Sequence, residues 1–87
     1  MKEIILEAAK MADKDAALKH IAEKLNFPDY FGMNFDALND CLTDIAEETS
    51  IAIDNEALFK SNLGVYAGII TKVFEFAAKQ NKKLNFK

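Results

Sequence analysis

Between Asn34 and Glu47 the chain carries two helical patterns at once. Phe35, Leu38, Leu42 and Ile45 recur at three- and four-residue spacing, which sets them on one apolar stripe. Asp36, Asp40, Thr43 and Glu47 recur the same way on the opposite side, with Asp44 at its margin. Such a helix buries one face and leaves the other to water or to a cationic partner. The residues just upstream fix where it starts. Asn26 ends a preceding helix, Pro28 forbids its continuation, and Gly32 permits a backbone turn. Asn34 is a good N-cap, and Asp36 in the first turn suits the positive end of the helix dipole.

The rest of the chain alternates short apolar runs with helical ones. Residues 3–7 hold Ile4, Ile5 and Leu6 together, a short buried strand by composition. Asp13 caps a predicted helix running to about Leu25, whose Leu18, Ile21, Ala22 and Leu25 share a face. His20 falls off that stripe beside Lys19 and Lys24, and it reads as a solvated surface residue. Thr49 to Asp54 reads as a second strand that Asp54-Asn55 terminates. A short helix is expected from Glu56 to about Ser61, then a long one from about Gly64 to Gln80. The long helix has Tyr66, Ile69, Ile70, Val73, Phe74 and Ala77 as its buried stripe, with Phe76 well off it. Asn81-Lys82-Lys83 turns the chain into a terminal strand, Leu84-Asn85-Phe86. Strands separated by helical stretches predict an α/β fold: a small three-stranded parallel sheet packed with about four helices.

Composition narrows the class. A chain of 87 residues supports one hydrophobic core, so residues 1–87 are expected to form a single domain. One cysteine excludes an internal disulfide and any CxxC metal or redox motif, which favours a reducing, cytoplasmic setting. The N-terminus is broken by acids too early for a signal peptide, and no apolar run suits a membrane. Charge is unevenly spread. All eleven bases are lysines, and none falls between Lys24 and Lys60, where eight of the fourteen acids lie. Residues 60–87 carry six lysines against Glu75 alone. The acidic interval repels a phosphate backbone, which disfavours nucleic acid, and attracts a basic protein.

Asp36 and Asp40 lie one turn apart, but general acid–base chemistry needs a pocket that separates their pKa values, and a solvent-facing helix supplies none. Calcium loops of the EF-hand kind need acids at alternate positions around a glycine, not on a helix. No catalytic residue, metal ligand or cofactor site is therefore assigned. On the residues alone, the plain alternative is a solvated acidic face. Cys41 lies beside the apolar stripe with no histidine in its helix, and it reads as a small buried thiol. Tyr30 and Phe31, adjacent in a non-helical stretch, are expected to point different ways, one packed and the other presented. Phe76 is either a rim residue or a contact.

Pro28, Tyr30, Gly32, Asn34, Asp36-Ala37-Leu38 and Asp40-Cys41-Leu42-Thr43 together resemble the barstar family of intracellular ribonuclease inhibitors. The resemblance is dense over residues 25–43 and weaker toward the C-terminus, where Val73-Phe74 and Ala77 fit. It implies the same fold, three parallel strands with four helices. It also implies inhibition, by pushing the loop and acidic helix into a ribonuclease active site. On that resemblance Asp40 would sit where the RNA phosphate binds, and Asp36 would pair with a basic group at the rim. Tyr30 would pack on the catalytic histidine, with Asn34 and Thr43 hydrogen-bonding at the edges. The family pattern has tryptophan at Asn39, glycine at Asp44 and a glutamate contact at Phe76. The expected partner-binding set is therefore Tyr30, Asn34, Asp36, Asn39, Asp40, Thr43, Asp44 and Phe76. The expected partner is a basic protein, most directly a secreted or co-encoded ribonuclease of the barnase type. The alternative is a non-inhibitory module of the same fold that binds another basic protein.

Overall fold

The computed structural model describes residues 2–28, 32 and 34–86. Three strands, β1 (Lys2–Leu6), β2 (Thr49–Ile53) and β3 (Leu84–Phe86), form one parallel sheet in the order β1-β2-β3. Parallel neighbours need crossovers. The first consists of a 3-10 turn (Ala8–Lys10), α1 (Lys14–Leu25) and α2 (Phe35–Thr43); the second of α3 (Glu56–Leu63) and α4 (Val65–Gln80). This is the expected fold.

Register places Ile4 opposite Ile51, Leu6 opposite Ile53, and Thr49 opposite Leu84. Ile4, Leu6, Ile51 and Leu84 are buried, whereas Glu3, Ile5 and Asn85 on alternate positions are exposed. The first strand is thus buried on one face only, and Ile5, expected inside, is half exposed. The helices supply the rest of the core through Leu18 and Ile21, Leu38 and Leu42, Phe59 and Leu63, and Ile70, Phe74 and Ala77. Phe74 stacks on Phe86 with ring centroids 4.9 Å apart, which ties α4 to β3.

Helix ends follow their local chemistry. The Asp13 carboxylate accepts from the Ala16 N–H at 2.8 Å, and the Asn55 side chain accepts from the Leu58 N–H at 3.1 Å. Asn26 closes α1 in the left-handed conformation, φ 57°. Gly64 (φ 57°) ends α3 and starts α4 in a single residue, so α3 runs two residues past Ser61.

Two further expectations are corrected. Tyr66 and Ile69 are 39% and 36% exposed, because α4 turns Ala67, Ile70, Phe74 and Ala77 inward and leaves the neighbouring line on its rim. His20 is a buried residue, 7% exposed, and not a solvated one. Its Nε2 accepts the backbone N–H of Glu7 at 3.0 Å, satisfying the chain just after β1. That turn is also held by the Asp54 carboxylate, which accepts from the Ala8 N–H at 2.9 Å, and by the Asn62 amide, which donates to the Ala8 carbonyl.

Candidate docking surface

The acidic helix starts as its sequence dictates. The Asn34 side chain accepts the Ala37 N–H at 2.7 Å, and its amide donates to the Gly32 carbonyl at 3.3 Å. Asn34 is therefore spent on capping α2 and on fixing the loop's exit. Phe35 lies half-buried on the core side, its ring centroid 6.2 Å from that of Tyr66 on α4. Leu38 and Leu42 are fully buried, so the apolar stripe is anchored and the opposite face is presented.

The helix stops earlier than its pattern suggests. It ends at Thr43, with Asp44 as C-cap, so Ile45 and Glu47 lie beyond it. The cause comes from the far end of the chain. The Asn81 amide donates to the carbonyl oxygens of Leu42, Thr43 and Ile45 at 3.0, 3.3 and 3.0 Å. These are the carbonyls a helix end leaves unpaired. Asn81 positions α2, and nothing near residue 43 announces it; the asparagine reads locally as a turn former only.

Asp36, Asp40 and Asp44 are all exposed. Among the described residues none of the three makes an ion pair; the three bridges found are Lys10–Glu7, Lys24–Glu7 and Lys60–Glu56. Asp36 sits at the favourable end of α2. Asp40 and Asp44 sit at its C-terminal end, where the helix dipole disfavours negative charge and where no basic residue occupies the last turn. α4 packs along α2, yet no lysine neutralises these acids among the described residues.

The other expected residues divide. The Thr43 hydroxyl donates to the Asn39 and Asp40 carbonyls, both at 3.0 Å, and is half-buried. Asn39 is half-buried too, and its Oδ1 is a buried acceptor with no partner. Phe76 is 54% exposed on α4, a separate element, beside the α4 rim that also exposes Val65, Tyr66 and Ile69. Tyr30 lies outside the described residues, as does Phe31. Asn34, Asp36, Asn39, Asp40, Thr43 and Asp44 thus share one helix with its caps, and Phe76 does not belong to it. Cys41 is half-buried on the helix flank, where burial, then Asp44, then Asp40 push its thiol pKa up.

Among the described residues no helix is long and apolar enough to cross a membrane, and no three His, Cys, Asp or Glu side chains gather as metal ligands. Comparison with known proteins agrees with the architecture. The family model described as Barstar (barnase inhibitor) matches residues 1–87. A Bacillus subtilis (strain 168) protein named "Putative ribonuclease inhibitor YrdF" is 31% identical over 83 residues, covering 94% of this chain and 91% of that protein. A family described by inhibition acts by binding and not by catalysis. This chain, with its three parallel strands, four helices and open acidic helix, belongs to the barstar family.

Proposed function

We propose that this protein is a single-domain inhibitor that binds a basic ribonuclease of the barnase type and occludes its active site with α2 and the loop before it. The observation that carries the reading is the placement of Asp40 and Asp44. Both are open to solvent, unpaired among the described residues, and at the helix end where their charge opposes the dipole. Acids kept at a site that disfavours them are best accounted for by an external cation. An RNA-cleaving site supplies one, since it must attract phosphate. Asp40 is the central anchor, Asp36 and Asp44 flank it, and Asn39 lies beside them on the same helix. Asn34 acts through its cap, and Thr43 and Tyr30 complete the edges. Phe76 extends the contact with an apolar ring from α4. A single cysteine, with no disulfide partner in the chain, suits a cytoplasmic protein meeting a nuclease that is secreted or encoded beside it.

The exposed Phe76, at the position where the family pattern has a carboxylate, favours a second reading in which the partner is a basic protein other than a ribonuclease. Calorimetric titration into a small secreted ribonuclease of the barnase type separates the two. Inhibition predicts tight binding and loss of nuclease activity. Asp40→Ala then weakens binding by more than about a hundredfold, the scale of leaving a buried charge unpaired. Glu23→Ala, on α1, leaves it within about twofold. Equal, small losses in both variants would remove Asp40 as the anchor, and no heat with the wild-type protein would move the target elsewhere.

A further inference from the structure

Between the 3-10 turn and α1 lies a cavity of about 320 Å³ lined by Lys10, Ala16, Lys19, His20, Glu23 and Lys24. Ala16, Lys19, His20 and Glu23 recur at three- and four-residue spacing, so one face of α1 supplies most of the wall and the turn supplies Lys10. His20 is the buried member of this set; the others are exposed or half-buried. Its pKa is lowered by burial first and by Lys24 next, so the ring is neutral near pH 7. Because Nε2 accepts the Glu7 N–H at 3.0 Å, the neutral ring carries its proton on Nδ1. Among the described residues no hydrogen bond uses that Nδ1–H. Asn39 Oδ1 is the one fully buried side-chain polar atom without a partner there, so Nδ1 opens to solvent, and the cavity is where it does so. The ring is thus a donor pinned in place by the main chain. Around it stand three ammonium groups. Lys10 and Lys24 reach Glu7 at 3.5 and 3.6 Å, in exposed bridges that hold them weakly, and Lys19 makes no ion pair among the described residues. Three lysines against Glu7 and Glu23 leave the neighbourhood one positive charge in excess.

We infer that this cavity binds the phosphate group of a small ligand, with the His20 Nδ1–H donating to one phosphate oxygen and Lys10, Lys19 and Lys24 closing around the others. A phosphate dianion has acceptor oxygens on every side, and the site offers one fixed donor and three flexible cations to meet them. Glu7 now divides one carboxylate between two lysines, and a doubly charged phosphate replaces that weak sharing with more charge. Glu23 on the same wall opposes the anion and limits its affinity. The volume stands at the lower end of the about 300–1,000 Å³ of small-molecule pockets, which accommodates a phosphomonoester as well as the free ion. The site draws on α1 and the turn after β1 and on no residue of α2, so it is independent of the docking surface.

The test titrates the full chain near neutral pH with inorganic phosphate and with ethyl phosphate, against sodium chloride at matched ionic strength. Two-dimensional NMR follows the backbone amides and the ring nitrogens of His20. Saturable shifts are expected at the amides of Lys10, Lys19, His20 and Lys24 and at His20 Nδ1, with both phosphates and not with chloride. Lys19→Gln should weaken binding about threefold to fivefold, the scale of one exposed charge pair. Glu23→Gln should tighten it, and Lys72→Gln, on the exposed side of α4, should leave it unchanged. The spectra report that each variant is folded. Both phosphates binding at this site supports the assignment, and the tighter of the two tells whether the ligand is an ester or the free ion. A chloride response equal to that of phosphate, unsaturable shifts spread over every exposed lysine, an unmoved Nδ1, or indifference to Lys19→Gln would overturn it.

Discussion

The side-chain amide of Asn81 donates to the main-chain oxygen of Ile45 across 3.0 Å, joining the end of α4 to the residue that follows the acidic helix. The same amide serves Leu42 and Thr43, so one side chain satisfies the frayed end of α2. Asn81→Ala strands those carbonyls and should lower the unfolding free energy by about 1–3 kcal/mol. Asn81→Asp should do at least as much damage, because it replaces donors with a negative charge at the negative end of a helix. Urea denaturation measures both, and an unchanged midpoint in either variant would remove the cap from the account.

Asp44 is predicted to trade stability against binding. Asp44→Asn removes a charge that the dipole of α2 disfavours, so the free protein should gain about 0.3–1 kcal/mol. On the proposed function, affinity for a ribonuclease of the barnase type should fall in the same variant. Denaturation and calorimetry on one preparation give both signs, and parallel losses would show that Asp44 supports the fold instead.

Acid should loosen the fold through His20. Burial lowers its pKa first, Lys24 next and Lys10 further, while Glu7 and Glu23 act the other way without reversing the shift. The unfolded state therefore takes up the proton at higher pH than the folded state does. Stability from this group is complete above about pH 6.5, the ordinary histidine value, and falls as pH drops from there through the lowered folded value. Protonation also turns Nε2 from an acceptor into a donor facing the Glu7 N–H. His20→Gln should flatten the stability profile in this window, and thermal melts between pH 7.5 and 5 would show whether it does.

Two glycines should respond oppositely to alanine. Gly64 has φ 57° with nothing within 4 Å of a built Cβ, so Gly64→Ala is penalised by the backbone alone, by about 1–3 kcal/mol. Gly68 is exposed within α4 with equally open space, and Gly68→Ala should stabilise by up to about 1 kcal/mol. Melting temperatures of the two variants should move apart.

Much of this molecule is legible in its residues where the deciding interaction is local. Asp13 and Asn34 announce their helices because an N-cap acts within three residues, and the stripe of Leu38 and Leu42 is buried as its spacing requires. What escapes is decided by distant neighbours. The end of α2 depends on an asparagine nearly forty residues later, and the burial of His20 depends on a backbone N–H thirteen residues earlier. Tyr66 and Ile69 extend the periodic stripe of α4, but a helix on a small domain has room inside for a narrower band than its pattern offers.

The neighbourhood of Cys41 also bears on how the protein ages. As the chain's single cysteine, it can form a disulfide only with another molecule, and a bond between two copies at this position would clamp their acidic helices together. Thiol–disulfide exchange runs through the thiolate. Asp40 and Asp44, together with burial, keep that form scarce. The exposed carboxylates of α2 thus also work against the thiolate through which two copies of the chain would be joined.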